Sequence, residues 1–301
     1  MIRILHFSDV HVDTLLSAVP ARDWLGKRLV GGLNHLLRRR ARFGRSREKL
    51  TALAAFADAE AVDHAICTGD YTMLGTEVEL AAALAAVEPL TRRPLGFATV
   101  AGNHDLYVPD TVAEGRFEKH FAKWLGDDLP DVTAGSGGIS VQLAGAAGEV
   151  AVVAVTSARP NPLVWRSSGR VPDAQLEARG RVLDHPSVHE RFTLVITHYA
   201  PRLWNGRPDS KLHGLENADA LLDVLGGRER TALLFGHVHR RYAVRAAGVR
   251  PMLLGAGSAT DEGREGAWLL DLERGGGRAT PLAWRFDRWE RDATAPVVDL
   301  D

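Results

Sequence analysis

The chain has 301 residues, 45% hydrophobic and 25% charged, an ordinary balance for a globular protein with a sizeable core. A formal net charge of -1 points to no clear nucleic-acid partner, and a single cysteine excludes an internal disulfide framework. No run approaches the roughly 20 apolar residues of a spanning helix, and the apolar opening at 1–7 is too short for a signal peptide. The expectation is a soluble cytoplasmic protein, with Cys67 a small buried hydrophobe.

Short apolar runs read as buried strands at residues 2–7, 61–67, 95–100, 149–155, 192–197 and 232–235. Helical periodicity falls at 47–59, 76–87, 113–125, 174–183 and 217–225, and Thr76 followed by Glu79 is a capping-box signature. This alternation predicts an α/β architecture with at least one largely parallel sheet. After Gly236 the runs at 242–245, 252–254, 267–272 and 281–286 follow one another without helices, which predicts an antiparallel extension. No repeat or linker is visible. The chain therefore reads as one domain over 1–291, with a basic helical insertion at about 20–49 and a loose tail at 292–301.

Ligand-type residues sit at the ends of these strands. Asp9 and His11 follow the first, Asp70 the second, Asn103, His104 and Asp105 the third, His198 the run at 192–197, and His237 and His239 the run at 232–235. Parallel strands share one carboxyl edge, where α/β proteins bind ligands, so the clusters are expected to converge. An isolated Asp-x-His arises by chance and a Gly-Asp pair is often only a turn. The ordered set is far more specific, because a core has no need of so many imidazoles that each require a partner. With imidazoles, carboxylates and an amide but no thiolate, the donor set suits Mn, Fe or Zn. Seven donors exceed one tetrahedral site and fit two divalent metal ions sharing a carboxylate, an arrangement recurrent in phosphate-ester hydrolysis.

The ordered motifs Asp9-x-His11, Gly69-Asp70, Gly102-Asn103-His104-Asp105, His198 and Gly236-His237-x-His239 resemble the calcineurin-like metallophosphoesterase superfamily. The resemblance implies a four-layer α-β-β-α sandwich, two mixed sheets flanked by helices, with a dinuclear site at the strand C-terminal ends. It implies that Asp9, His11 and His239 hold one metal and Asn103, His198 and His237 the other, with Asp70 bridging. By the same resemblance His104 contacts the phosphate and helps protonate the leaving group, and Asp105 orients it.

Among branches, Asp70-Tyr71-Thr72 and Asp105 depart from the Ser/Thr protein phosphatases, which carry Asp-Arg-Gly and Gly-Asn-His-Glu. Residues 156–160, 169–171 and 174–176 resemble the bacterial class III cyclic-nucleotide phosphodiesterase-like branch. That branch usually has a second histidine where Tyr199 stands here, which puts substrate choice on Tyr199. His213, between two ligand strands, is a further candidate substrate contact.

The segment 21–49 is rich in Arg and Lys, with Trp24, Leu25, Leu29, Val30, Leu33, Leu36 and Leu37 at roughly helical spacing. It reads as a helical cap beside the site, or as a contact for the inner membrane surface or an anionic substrate. The function implied is that of a metal-dependent phosphohydrolase, foremost a phosphodiesterase of small phosphate esters, working by attack of a metal-bound hydroxide. The alternatives are a pyrophosphate-bond hydrolase acting on a nucleotide-sugar lipid and a promiscuous phosphomono-, di- or triesterase. A non-catalytic scaffold is disfavoured because all seven ligands and His104 are present.

Overall fold

The computed structural model describes residues 1–14, 16–24, 26–34, 40–145, 149–161 and 163–300. Leu25, Leu36 and Leu37 of the basic segment lie outside them.

The strands form two mixed sheets. The first contains β1 (Ile2–Phe7), β2 (His64–Cys67), β3 (Phe97–Thr99), β10 (Ala267–Glu273), β11 (Gly276–Arg285), β12 (Arg288–Arg291) and β13 (Val298–Asp299). Its order is β12-β11-β10-β1-β2-β3, parallel across β1, β2 and β3 and antiparallel beyond β1. The second contains β4 (Ser140–Ala144), β5 (Val150–Ala154), β6 (Phe192–Ile196), β7 (Thr231–Phe235), β8 (Arg241–Val244) and β9 (Met252–Ala256), in the order β4-β5-β6-β7-β9-β8.

The central strands are apolar without a break because both faces are covered. On β5, Val150 and Val152 face the other sheet, in one core with Ile4, Ile66 and Leu194. Their neighbours Ala151 and Val153 belong to the helix-facing core with Leu50, Leu80 and Val182. Helices Ser46–Ala59 and Glu77–Thr91 flank the first sheet, and Asp173–Asp184 and Ala218–Leu225 the second. The α-β-β-α layering is as the sequence implied.

Three features differ from expectation. The strands after Gly236 do not form one antiparallel extension: β8 and β9 join the second sheet, with β9 parallel to β7, while β10, β11 and β12 complete the first. The helix expected at 113–125 is broken into Pro109–Ala113 and Arg116–Phe121, because Gly115 takes a left-handed φ of 59°. The tail is not loose. Val298 and Asp299 pair with β11, Leu300 is buried, and Asp292 receives Arg241 and Arg285.

The basic segment forms helix Lys27–Asn34, helix Arg40–Phe43 and the start of Ser46–Ala59. Much of its charge is consumed inside the fold. Arg28 is buried, donating to the carbonyls of Leu74 and Gly75 and to Thr111, and with Arg116 it surrounds the buried carboxylate of Asp23. Lys49 is buried against Glu262 and Glu265, and Arg45 pairs with Glu48 and Asp287. No helix among the described residues is long and apolar enough to cross a membrane.

Candidate metal centre

The carboxyl ends of β1, β2, β3, β6 and β7 meet at one edge, and the residues that follow them turn sharply inward. Asp9, His11, Asp70, His237 and His239 all adopt left-handed φ, between 38° and 71°. A non-glycine residue there stores strain of about 1–3 kcal/mol, a cost that clusters at functional sites. The motif glycines are forced by the same crowding. A Cβ on Gly102 would lie 2.1 Å from Asp70 Oδ1, and one on Gly236 would lie 2.4 Å from Asp9 Oδ2.

The seven expected ligands come together in two overlapping groups. In the first, donor atoms of Asp9, His11, Asp70 and His239 all lie within 4.8 Å of one another. Nε2 of His11 is 3.1 Å from Nε2 of His239, which is 3.1 Å from Asp9 Oδ1. In the second, Asn103 Oδ1 is 3.0 Å from His198 Nε2 and 2.9 Å from His237 Nδ1. Asp70 Oδ2 lies between the groups, 3.7 Å from His11 Nε2 and 3.5 Å from His198 Nε2. That is the placement of a bridging carboxylate.

The far nitrogen of each imidazole has an acceptor. His11 Nδ1 meets the Thr72 carbonyl at 2.8 Å, His198 Nδ1 that of Thr68 at 2.7 Å, and His237 Nε2 that of His213 at 2.9 Å. His239 Nδ1 meets Asp261 Oδ2 at 2.8 Å. These acceptors assign the proton to the outer nitrogen and leave the inner lone pair aimed at the centre. Lone pairs of nitrogen and oxygen about 3 Å apart repel unless a cation lies among them. Asp9 Oδ1, buried with no hydrogen-bond partner, makes the same point. The donor set therefore fits a pair of divalent ions.

Electrostatics agree. Burial opposes ionising Asp9 and Asp70, yet the neighbouring histidines hold both carboxyls below the usual range. Burial likewise opposes charging His198 and His239, but Asp70 and Asp9 outweigh it and raise each to about 9. His237 is lowered to about 4 by burial and by His198. Buried carboxylates that draw positive charge toward the centre fit a site that holds cations.

His104 stands beside the ligands. Its backbone N–H donates to Asp70 Oδ1 at 2.8 Å, and its Nδ1 meets the Met73 carbonyl at 2.7 Å. The ring stacks on Tyr107 with centroids 5.5 Å apart. Asp105, expected to orient His104, instead receives the backbone N–H groups of Gly102, Asp70, Tyr71 and Thr72 and ties the Asp70 loop to the Asn103 loop. The carbonyl of Met73 makes the orienting contact.

A cleft of about 250 Å3 opens over the centre, bordered by His104, Tyr107, Lys27, Val164, Trp165 and His213. His213 lines it as expected, with Nδ1 held by Ser167 Oγ at 2.9 Å. Tyr199 does not line it. Its ring packs behind His237 with centroids 4.1 Å apart, fully buried, and its hydroxyl donates to the Ser167 carbonyl. An expected substrate contact is thus a prop for one of the expected ligands.

Sequence reasoning missed Asp261. It follows β9 at the same edge, and the rule that found the expected ligands would have pointed to this partner of His239 had β9 been recognised as parallel. It also missed Tyr107 and Trp165, which carry no motif.

The sequence profile of the calcineurin-like phosphoesterases matches residues 2–241. No curated protein matches the chain by sequence. Among solved structures, a dimetal phosphatase from Danio rerio superposes with a TM-score of 0.63 at 13% identity, covering 99% of this chain and 98% of that one. A purple acid phosphatase from yellow lupin gives 0.57 at 12% identity, covering 99% of this chain and 52% of that one. GAP50, the anchor in the inner membrane complex of Plasmodium, gives 0.53 at 11% identity, covering 100% and 88%. At such identities these likenesses are of fold, and the profile decides membership: the chain belongs to the calcineurin-like phosphoesterase family, whose members depend on a dinuclear metal centre.

Proposed function

We propose that the protein hydrolyses phosphodiesters of small molecules, with His104 as the proton donor to the leaving oxygen. Two divalent ions held by the seven ligands would activate a water and offset the charge that develops on the phosphoryl oxygens. The imidazoles, carboxylates and amide oxygen suit Mn, Fe or Zn.

The observation that carries the diester reading is the apolar and aromatic surface of the cleft walls beside His104. Around His104 the walls are Tyr107, Val164 and Trp165, and among the described residues the guanidinium that borders them, Arg166, shares the single carboxylate of Glu216 with Arg159. Lys27 lies 4.4 Å above the Tyr107 ring and donates to the Asn161 carbonyl. Such walls give an apolar or aromatic leaving group a surface to pack on, as in a diester with an aryl arm. Met73 holds the Nδ1 side of the His104 ring, which assigns the carrying and release of a proton to Nε2.

The test compares an aryl monoester, an aryl diester, a cyclic nucleotide and a nucleotide-sugar lipid on protein loaded with each metal. Faster turnover of the aryl diester than of the monoester supports the reading, and the reverse order refutes it. A second reading is pyrophosphate cleavage in a nucleotide-sugar lipid. It is favoured by Leu29 and Val30, exposed by 60% and 53% on the helix that begins with Lys27. Turnover of that lipid alone would select it.

A further inference from the structure

His239 borders a second groove, of about 430 Å3, that His104 and Trp165 do not reach. It runs between Trp204, Arg240 and Arg264, over Gly263. The groove is cationic. Arg241, also on its walls, shares Asp292 with Arg285, and Glu265 shares Lys49 with Glu262, so the excess charges of these two clusters are opposite and offset each other. The guanidinium of Arg240 lies 4.2 Å over the exposed ring of Trp204, and among the described residues no carboxylate pairs with Arg240 or Arg264. Two unpaired guanidiniums on one groove repel each other and gain from an anion between them.

The walls are fixed independently of any ligand. Trp204 sits on a closed turn, with Leu203 N–H donating to the Arg207 carbonyl at 2.8 Å and Gly206 N–H to that of Leu203 at 2.9 Å. Arg264 N–H donates to the carbonyl of Asp261 at 2.9 Å, and Asp261 in turn holds His239. The loop that presents Arg264 therefore also aims a metal ligand, so groove and centre are held in one frame.

We propose that this groove binds the retained arm of the phosphodiester, and that this arm carries a second phosphoryl group held by Arg240 and Arg264. The inference rests on the phosphodiester reading above. The leaving group belongs beside His104, where the proton is delivered, so an arm that stays on phosphorus has the groove beyond His239 open to it. Two guanidiniums match the charge of a phosphate monoester dianion, and their planar forks match its oxygens. The Trp204 ring supplies a flat apolar floor for the chain or ring that joins the two phosphoryl groups.

The test uses two diesters with the same p-nitrophenyl leaving group, one with an n-butyl arm and one with a 4-phosphooxybutyl arm. Release of p-nitrophenolate is followed on the metal-loaded protein. The phosphorylated arm is expected to raise kcat/KM about tenfold or more, chiefly through KM, and Arg240→Ala/Arg264→Ala to bring the ratio near one. A ratio near one in the unaltered protein, or a ratio unchanged in the variant, overturns the proposal. If neither diester is cleaved, the phosphodiester reading falls. Equilibrium binding of butane-1,4-diol bisphosphate to chelator-treated protein then decides the groove. Binding weakened about tenfold by the double substitution sustains it, and absent or unaltered binding overturns it.

Discussion

Nδ1 of His239 donates to Oδ2 of Asp261 at 2.8 Å, and the same buried carboxylate takes a two-pronged contact from Arg42. A histidine of the candidate metal centre is thereby joined to the basic segment at 20–49. Next to Arg42, the ring of Phe43 lies 5.0 Å from that of His11 and 6.2 Å from that of His239. The insertion is thus part of the wall of the candidate metal centre, whatever else it contacts.

A carboxylate on the outer nitrogen fixes a ligand imidazole's tautomer and raises its basicity, and losing it typically weakens metal binding about 10–100-fold. Asp261→Ala is expected to lower the affinity of the site formed by Asp9, His11 and His239 by that factor while Asn103, His198 and His237 still bind. Chelator competition with metal analysis reads this as one weakened equivalent. Two equivalents of unchanged affinity would remove Asp261 from the account.

His104 and the ligands are separable by substitution. Asn103→Ala and His237→Ala are expected to lose bound metal and activity together. His104→Ala is expected to keep two metals and lose turnover by about 10²–10⁴-fold, the usual contribution of a positioned acid. Metal content and steady-state kinetics on the three variants check this, and a metal-depleted His104→Ala would contradict it.

The capping box serves the site as well as its helix. Thr76 Oγ1 accepts from Glu79 N–H, and the buried Glu79 carboxylate receives the N–H groups of Met73, Leu74 and Thr76. Met73 in turn holds the His104 ring. Thr76→Ala is expected to cost about 1 kcal/mol of stability with little change in kcat. Glu79→Ala frees the Met73 loop and is expected to cost about 3 kcal/mol and to lower kcat. Urea unfolding and kinetics on the same preparations separate the two effects.

Burial lowers the His64 pKa from 6.5 to about 4, with Nδ1 on the Leu95 carbonyl at 2.8 Å. The folded pKa lies below the unfolded one. Its contribution is therefore complete above pH 6.5 and is lost as pH falls toward 4, by about 3 kcal/mol in all. His64→Gln is expected to flatten the acid side of the stability profile between those pH values. Parallel profiles for the two proteins would show that His64 does not set the slope.

The convergence of the seven expected ligands was legible because each follows an apolar run, and the parallel sheet rule carries such positions to one edge. The strain was not. Left-handed φ at Asp9, His11, Asp70, His237 and His239 costs energy that only the assembled site offsets, and local sequence preference runs against it. Asp261 was hidden by strand direction, since β8 intervenes in sequence between β7 and β9 without changing the parallel pairing of the latter two. Tyr199 was misplaced because a motif position says which loop carries a side chain, whereas packing against His237 and Ser167 says which way it turns. The charge of the basic segment misled in the same way. Arg28 and Lys49 count as surface cations in a composition and are buried ion-pair partners in the fold.

As proposed, the seven residues hold two metal ions on which phosphodiester hydrolysis depends. The most direct test removes metal with a chelator and adds it back stepwise, reading bound equivalents and aryl diester hydrolysis at each step. Two equivalents bound, with activity absent in the stripped protein and restored as the second equivalent binds, is the predicted result. Full hydrolysis by the stripped protein, or binding of fewer than two equivalents at saturation, would contradict the account.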